Sequence, residues 1–467
     1  MPSSWITACQ LSVWDNIAGP KVQQLWIGVD VPTDELCVTV ARHSLAGDIA
    51  PPEPDVIEST LQVFAKFDAA ALSTVFSAKH RRGLCKHSFS ILVHSRHLPR
   101  LVALQHVFVD RVRQLVRLLA ALLDRAPTPA IALAHFHGAL DDALVHLERL
   151  VVDALPTPQI NDTFLSPLAA RTVDALFVAR AITSTLQTHG CAVVAGSGDV
   201  ARINMFISSL LVFLPPADLA RSAFARPPSD VVERMARAFA DSAQAIPQPA
   251  RSQYVPNLMV QGIVDTSPSD AGDGVGLSRS AVLASLLPTT LILVDARVVR
   301  QAPPYAVYLR TRAEFDNAAI DRAVSGALSD GAPVAGTTGG GTVGGSGADD
   351  VFRSVTEVAP CVQRLLEDTL SLPFDLRLAY ISMSMRLLTR KAVLLVKFVE
   401  ASTRDGSATT VPEHLVKRLR ADLGARDAAD FSVLLGIAER LRPGSYHALG
   451  GDPSYIEEQL LDMFESF

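Results

Sequence analysis

Two apolar runs, Trp5 to Val13 and Val22 to Ile27, flank the stretch Trp14-Asp15-Asn16-Ile17-Ala18-Gly19-Pro20-Lys21. Asx side chains bond the backbone locally, glycine tolerates positive φ and proline fixes φ, so this stretch is turn chemistry. The pattern predicts an N-terminal β-hairpin with an architectural role. Leu36, Val40 and Leu45 recur at helical spacing after Thr33 or Asp34 as cap, which predicts a helix over 33–46 stopped by Gly47. Pro51-Pro52-Glu53-Pro54 is a loop. Thr60–Phe67, Ala71–Ser77 and Ser88–Val93 are β-prone runs separated by short breakers, an antiparallel meander with Lys79 to Gly83 as a basic hairpin loop.

From Pro99, a residue suited to a first helical turn, Leu101, Leu104, Phe108, Val112, Leu115, Leu119 and Leu122 form one continuous apolar stripe. A second amphipathic helix covers about 130–155, and these elements together make an α/β sandwich of about 150 residues, within the usual domain range. Pro156–Pro167 reads as a linker. The order then becomes helix (171–188), Gly190, strand (191–195), Gly196-Ser197-Gly198 and helix (199–214) stopped by Pro215-Pro216, with strand candidates at 257–264 and 290–294. Helix–strand–helix order argues for a second α/β unit with a buried strand. Residues 325–350 are dominated by Gly, Ala, Ser and Thr and read as a disordered insertion. Helices are expected at 351–369, 374–402, 411–422 and 427–441, ended by Pro443-Gly444. The last stretch, with Tyr455, Glu457, Glu458, Phe464 and Phe467, is acidic and aromatic and suits a docking tail.

Composition narrows the class. The 467 residues are 49% apolar and 19% charged with a net charge of −6, enough for a sizeable core and without the basic field of a nucleic-acid binder. Cys9, Cys37, Cys85, Cys191 and Cys361 are odd in number and unpaired in spacing, as expected of thiols in a reducing compartment. The N-terminus carries no basic-then-apolar secretory pattern, and the most apolar segment, Met205–Leu214, is far short of the ~20 residues that span a bilayer. The expectation is a soluble, cytoplasmic protein that meets membranes only through partners or surface patches.

Four features bear on chemistry. Gly196-Ser197-Gly198-Asp199-Val200-Ala201 matches G-x-G-x-x-A between a strand and a helix, the dinucleotide fingerprint, but no acidic strand end follows at the required distance and Asp199 repels phosphate. A tight strand-to-helix turn is the ordinary reading, and no cofactor is expected. His80, His87, His94, His97, His135 and His137 with Cys85 match no closed zinc spacing, so no metal site is expected either. Arg386, Arg390 and Lys397 share one face of the 374–402 helix opposite Ile381, Leu388 and Leu395, a solvated face or a surface for an acidic partner or anionic lipid. Arg96 and Arg100, where the last meander strand passes into the long helix, are arginine-finger candidates for a phosphoryl-transfer site. P-loop, H-E-x-x-H and G-x-S-x-G motifs do not occur.

A set of runs in order along the chain carries a resemblance. They are Trp14 to Val22, His43 to Ile49, Val107 to Arg111, Leu186-Gln187-Thr188-His189-Gly190-Cys191-Ala192-Val193-Val194, Pro288-Thr289-Thr290 and Ala438-Glu439-Arg440-Leu441-Arg442-Pro443-Gly444. Through them the chain resembles the chromosome-nine open-reading-frame seventy-two protein family of longin–DENN proteins. The resemblance implies an α/β (α+β) fold: a longin sandwich over 1–155, a linker over 156–170, and a DENN module. The module would have an α/β core over 171–324, the Gly-rich insertion over 325–350, a helical part over 351–445 and a tail over 446–467. It also implies regulation of Rab and Arf GTPases, by nucleotide exchange or within a GTPase-activating complex. The implied partners are a second longin–DENN protein and a WD40-repeat protein, with recruitment to endosomes, lysosomes or autophagosomes. In that assembly the catalytic arginine is attributed to the partner, which argues against catalysis by Arg96 or Arg100.

Three functional readings follow: a GTPase regulator, a non-catalytic scaffold of the same complex, and a nucleotide-binding enzyme built on Gly196 to Ala201.

Overall fold

The structure, a computed structural model, describes residues 5–15, 17–28, 31–45, 57–80, 83–149, 155, 157–166, 174–197, 199–225, 254–264, 282–329, 352–403, 411–442 and 444–450. The chain divides into two compact units, residues 1–153 with 314–341, and residues 154–313 with 342–465. Each is mixed α/β with its own five-stranded sheet.

The first unit starts with the expected hairpin, β1 (Ile6–Asp15) and β2 (Gly19–Ile27). The strands run further into the turn than the apolar pattern reaches, pairing Trp14 with Pro20 and Asp15 with Gly19. Asp15 closes the turn itself: its Oδ1 accepts from the amides of Ile17 (2.9 Å) and Ala18 (3.1 Å), and Oδ2 takes the Lys21 ammonium at 2.8 Å. The Lys21 bond first, then the two amides, hold this carboxyl well below the usual carboxylate range. Helix α1 (Asp34–Leu45) follows, with Thr33 Oγ1 accepting from the Leu36 amide. Strands β3 (Glu58–Phe64), β4 (Ala69–His80) and β5 (Gly83–His94) complete an antiparallel sheet in the order β2-β1-β5-β4-β3.

Alternation along β5 decides what each face meets. Phe89 and Ile91 point one way, Ser90 and Leu92 the other. Leu92 packs with Ala71, Leu36 and Val40, so α1 covers that face. Phe136 of α4 (Pro129–Arg149) meets Phe89 edge-on at 5.8 Å, so the helical pair covers the opposite face. The stripe from Leu101 to Leu122 is buried as expected, but it is carried by two helices, α2 (Leu98–Ala103) and α3 (Gln105–Arg125). The helix breaks at Leu104 (φ −103°, ψ 7°), and Leu104 and Phe108 stay buried on either side of the break, so the apolar period survives it.

The second unit is built around β6 (Ala192–Gly196), which is buried at every position, as an inner parallel strand reads. It runs parallel to both β7 (Val260–Val264) and β8 (Thr290–Leu293), while β9 (Val298–Gln301) and β10 (Arg353–Ser354) add an antiparallel edge. Helices α5 (Ala175–Gln187) and α6 (Val200–Leu211) flank β6 in sequence, capped by Asp174 and Asp199. Residues inside the expected linker pack into this unit: Phe164 and Leu165 are buried in its core, and Ser209 Oγ accepts from the Phe164 amide at 3.0 Å.

Three sequence expectations change here. Residues 353–354 are strand, and the helix expected from 351 starts at Pro360 (α8, Pro360–Ser371), because Val351, Val355, Thr356 and Val358 are β-branched and Pro360 suits a first turn. A helix not anticipated from the pattern, α7 (Tyr305–Ser329), runs into the first five residues of the Gly-rich stretch; 330–350 lie outside the described residues. The remaining helices are α9 (Phe374–Thr403), α10 (Glu413–Asp422), α11 (Ala428–Leu441) and a short α12 (Ser445–Gly450). The tail residues 451–467 also lie outside the described residues.

Two helical glycines separate packing from propensity. A Cβ on Gly436 would stand 2.2 Å from the Leu186 carbonyl oxygen, whereas one on Gly138 meets nothing within 4 Å. Gly436→Ala is expected to destabilise the second unit by about 1–3 kcal/mol or more through forced separation of α11 from α5. Gly138→Ala is expected to stabilise the first by about 0.5–1 kcal/mol. Urea unfolding followed by far-ultraviolet circular dichroism reads both.

Candidate functional site

The turn that matches the dinucleotide fingerprint is occupied by the protein's own carboxylates. Ser197 donates its backbone N–H (2.5 Å) and its hydroxyl (2.9 Å) to Asp295 Oδ2. Asp199 caps α6 by accepting from the Arg202 amide at 3.1 Å. A Cβ on Gly196 would come within 3.2 Å of Asp295 Oδ2. The amides and the positive helix end that would receive a pyrophosphate are therefore taken by negative charge. The arrangement is a strand-to-helix turn, and it repels phosphate.

Arg96 and Arg100 lie where β5 passes through a short turn into α2. The corner is organised by Asp68, held at φ 48°, which pairs with His94 Nε2 at 3.0 Å and accepts from the Ser95 hydroxyl. Arg96 is exposed, and its Nε donates to His97 Nε2 at 3.0 Å. His97 in turn packs edge-on against Trp5, and burial first, then Arg96 and His94, lowers its pKa. Arg100 is half-buried in α2. Among the described residues, no group of three or more His, Cys, Asp or Glu is placed to hold a metal ion. All five thiols are free, and burial pushes Cys191 and Cys361 up to about 12, far from a nucleophilic thiolate.

The organised polar chemistry of the second unit lies beneath its surface. Three runs that carry the family resemblance, 186–194, 288–290 and 438–444, meet there. Thr290 Oγ1 sits 2.7 Å from Ser184 Oγ and 2.8 Å from Thr188 Oγ1, tying the start of β8 to the end of α5. The chain then turns through His189 (φ 62°) and Gly190 (φ 88°) into β6. Asp218, 2% exposed, forms an ion pair with Arg440 of α11. The guanidinium passes so close to the turn that a Cβ on Gly190 would stand 2.8 Å from Arg440 Nη1. Burial pushes the Asp218 carboxyl up, and Arg440 pulls against it. His189 packs against Tyr305 with ring centroids 4.9 Å apart and planes tilted by 44°, and its Nδ1 has no partner among the described residues; burial first, then Arg440, pushes the imidazole down to about 3, so it is neutral. Glu439 closes the network by accepting from the amides of Gly444 (2.7 Å) and Tyr446 (2.8 Å).

Asp218, Arg440, His189 and Glu439 were not singled out from the sequence. Three of the four sit inside the resembling runs, which was the available signal; the pairing of residues 218 and 440 has no local signature. Nearer the surface, a groove of about 570 Å³ lies between the 157–162 segment and α6, lined by Gln159, Asn161, Asn204 and Phe224 among others. On α9, Arg386, Arg390 and Lys397 are exposed while Ile381 and Leu395 are buried, as the sequence pattern predicts.

Removing Arg440 leaves the buried Asp218 charge with only the weaker pull of Arg221. Arg440→Met is expected to destabilise the second unit by about 3–5 kcal/mol, and adding Asp218→Leu to recover much of that loss. In Arg440→Met the raised Asp218 pKa favours the protonated folded state, so the defect is smaller at low pH than at pH 8, as thermal melts across pH will read. His189 works in the opposite direction. The unfolded imidazole takes up a proton near pH 6.5 and the folded one only near 3, so its contribution is full above 6.5 and lost as pH falls between those values. Asn tolerates the left-handed backbone, so His189→Asn is expected to flatten stability against pH in that window.

The profile of the C9orf72-like protein family matches residues 39–308, more than half of the chain. The guanine nucleotide exchange factor C9orf72 homologue of Mus musculus is 23% identical over 494 residues, covering 99% of this chain and 95% of its own length. The Rattus norvegicus homologue gives the same figures, and the Homo sapiens guanine nucleotide exchange factor C9orf72 is 23% identical over 491 residues with the same coverage. The matched span runs from α1 through β9 into α7 and so takes in the His189-Gly190 turn and Asp218; the chain belongs to the C9orf72-like protein family.

Proposed function

We propose that this protein regulates small GTPases of the Rab and Arf classes, as a nucleotide exchange factor or as one subunit of a GTPase-activating complex. The observation that carries the reading is similarity over 99% of the chain to proteins named guanine nucleotide exchange factors. An exchange factor makes and breaks no covalent bond. It binds the nucleotide-free GTPase more tightly than the loaded one, so it needs a rigid surface rather than a set of reactive groups. A turn closed by Asp295 and Asp199, and thiols held protonated by burial, fit such a protein better than a nucleotide-binding enzyme.

The finer assignments rest on the family resemblance. The first unit takes the longin role, its antiparallel sheet sandwiched between α1 and the α3–α4 pair. The second takes the DENN role, with the mixed sheet as core and α8 to α11 as its helical part. The partners are a second longin–DENN protein and a WD40-repeat protein, and recruitment is peripheral, to endosomes, lysosomes or autophagosomes. Among the described residues, no helix is long and apolar enough to cross a membrane. The transition-state arginine comes from the partner, and Arg96, engaged by His97, holds its corner together.

Nucleotide release and GTP hydrolysis followed on a panel of Rab and Arf proteins, with and without the longin–DENN partner, test the reading. Acceleration of one rate on at least one GTPase is expected, unchanged in Arg96→Ala and Arg100→Ala. Unchanged rates with the complex intact leave the scaffold reading instead.

A further inference from the structure

Helix α9 is buried along one side, where Ile381, Ala392, Leu395 and Val399 join the apolar clusters of the second unit. Its other side is far from polar. Leu376, Met383, Leu387 and Leu394 are each 49–57% exposed, and their spacing of seven, four and seven residues stacks them into one ridge. At about 1.5 Å per residue the ridge is about 27 Å long. Arg386, Arg390 and Lys397 form an exposed row along one flank, at spacings of four and seven. Lys391, half-buried, falls on the other flank. From Leu376 to Val399 the helix carries no Asp or Glu. The acids at its ends stand outside the ridge: Asp375 lies in the first turn, and Glu400 is directed to Arg442 at 3.9 Å. Arg377, the remaining cation, is committed to the carbonyls of Leu165, Leu370 and Leu372. A row of half-exposed large apolar side chains of this length marks an interaction surface.

We propose that this face of α9 docks the protein on an anionic lipid surface, the ridge entering the boundary between headgroups and acyl chains and the basic row meeting the anionic headgroups. Charge is the first support. An apolar strip bordered by cations, with acids absent along its whole length, is the pattern of helices that lie in a membrane interface. The chain as a whole carries a net charge of −6 and is repelled by anionic lipid at long range. Salt screens that repulsion beyond about 10 Å, so at contact the local row of Arg386, Arg390 and Lys397 decides. Shape is the second support. The opposite side of α9 is buried, so the ridge stands on a convex surface. A protein partner would need a groove of the same length with apolar and acidic strips in register, whereas a lipid surface yields to a ridge at any point. The third support excludes a second copy: pairing two such faces brings no negative charge to either basic row, and desolvates the cations without a partner. Helix α9 is not apolar enough to cross a bilayer, so the ridge lies in the plane of the surface. The inference concerns how the chain meets a membrane and does not depend on the exchange reading, which nucleotide release tests separately.

Co-sedimentation of the full chain with vesicles tests the proposal. Binding to mixed phosphatidylserine–phosphatidylcholine vesicles, weakening steeply as salt is added, is expected, with little binding to phosphatidylcholine alone. Arg386→Glu/Arg390→Glu/Lys397→Glu is expected to lower partitioning by about tenfold or more. Leu376→Ser/Leu387→Ser/Leu394→Ser, which keeps every charge, is expected to weaken it as well. All six side chains are exposed, so far-ultraviolet circular dichroism and thermal melts of both variants should match the unaltered chain. Met383 reports which face is engaged, because thioether oxidation follows exposure. Hydroxyl-radical footprinting read by mass spectrometry, with Met205 as internal reference, is expected to show Met383 oxidising several-fold more slowly once phosphatidylserine vesicles are added. Equal binding to the two kinds of vesicle, or full binding by either variant, overturns the proposal. Binding that leaves Met383 oxidation unchanged places the membrane on another face and also overturns it. Protection of Met383 before any lipid is present does the same in favour of a protein cover, which is a second copy where the protection grows with concentration.

Discussion

Asp218 is a carboxylate with almost no access to water, and the only way to keep such a charge inside a fold is to bring a cation to it. Arg440 is that cation, and its reach fixes much of the second unit. For the guanidinium to arrive, α11 must lie close against the end of α5, and Gly436 makes this approach where any side chain would strike the Leu186 carbonyl. The turn from α5 into β6 must also leave a channel, which Gly190 does by having no Cβ. His189 accepts a left-handed backbone and a neutral, buried ring as the local cost of that turn. The helical end of the unit and its central strand are thereby locked into one register by a contact across 222 residues.

The two units solve the burial of a sheet differently. In the first, strict alternation gives each strand two faces, and small hydroxyls let the strands approach on the α1 side, where Ser73 and Ser90 bond at 2.8 Å. Gln10, buried in β1, reaches across to the Cys37 carbonyl and pins α1 to the sheet. In the second unit β6 is buried on both faces and carries no alternation at all. Its C-terminal end, where open α/β sheets commonly receive ligands, is closed by Asp295 and Asp199. What such a protein offers a partner is the shape and charge of its surface, consistent with a regulator that works by binding.

The sequence was legible wherever a local rule had a single solution. Asp15, Gly19 and Pro20 specify a tight turn between two apolar runs whatever surrounds them, and the hairpin stands there. The stripe from Leu101 to Leu122 specifies a buried helical face, and it is buried. It did not reveal the interruption at Leu104, since a stripe records which side is apolar and says nothing of one non-helical backbone pair. Helix α7 escaped because its apolar residues keep no clean period. The 351–359 stretch carries no local mark of a strand, because its pairing to β9 depends on residues near 300. The fingerprint at Gly196 was matched correctly as a string, and its missing acidic strand end already argued against nucleotide.

The amino-acid order alone determined the mixed α/β class, the first hairpin and the membership that its ordered runs carry, because these rest on short-range periodicity, turn chemistry and collinearity. Only the tertiary structure decided that Asp218 and Arg440 form one buried pair, that Asp295 fills the glycine turn, and that Leu376, Met383, Leu387 and Leu394 of α9 stay half-exposed. Each depends on which distant segments come within a few ångströms of one another. Desolvation and charge pairing act through space, and the distance along the chain between the partners leaves no local trace of them.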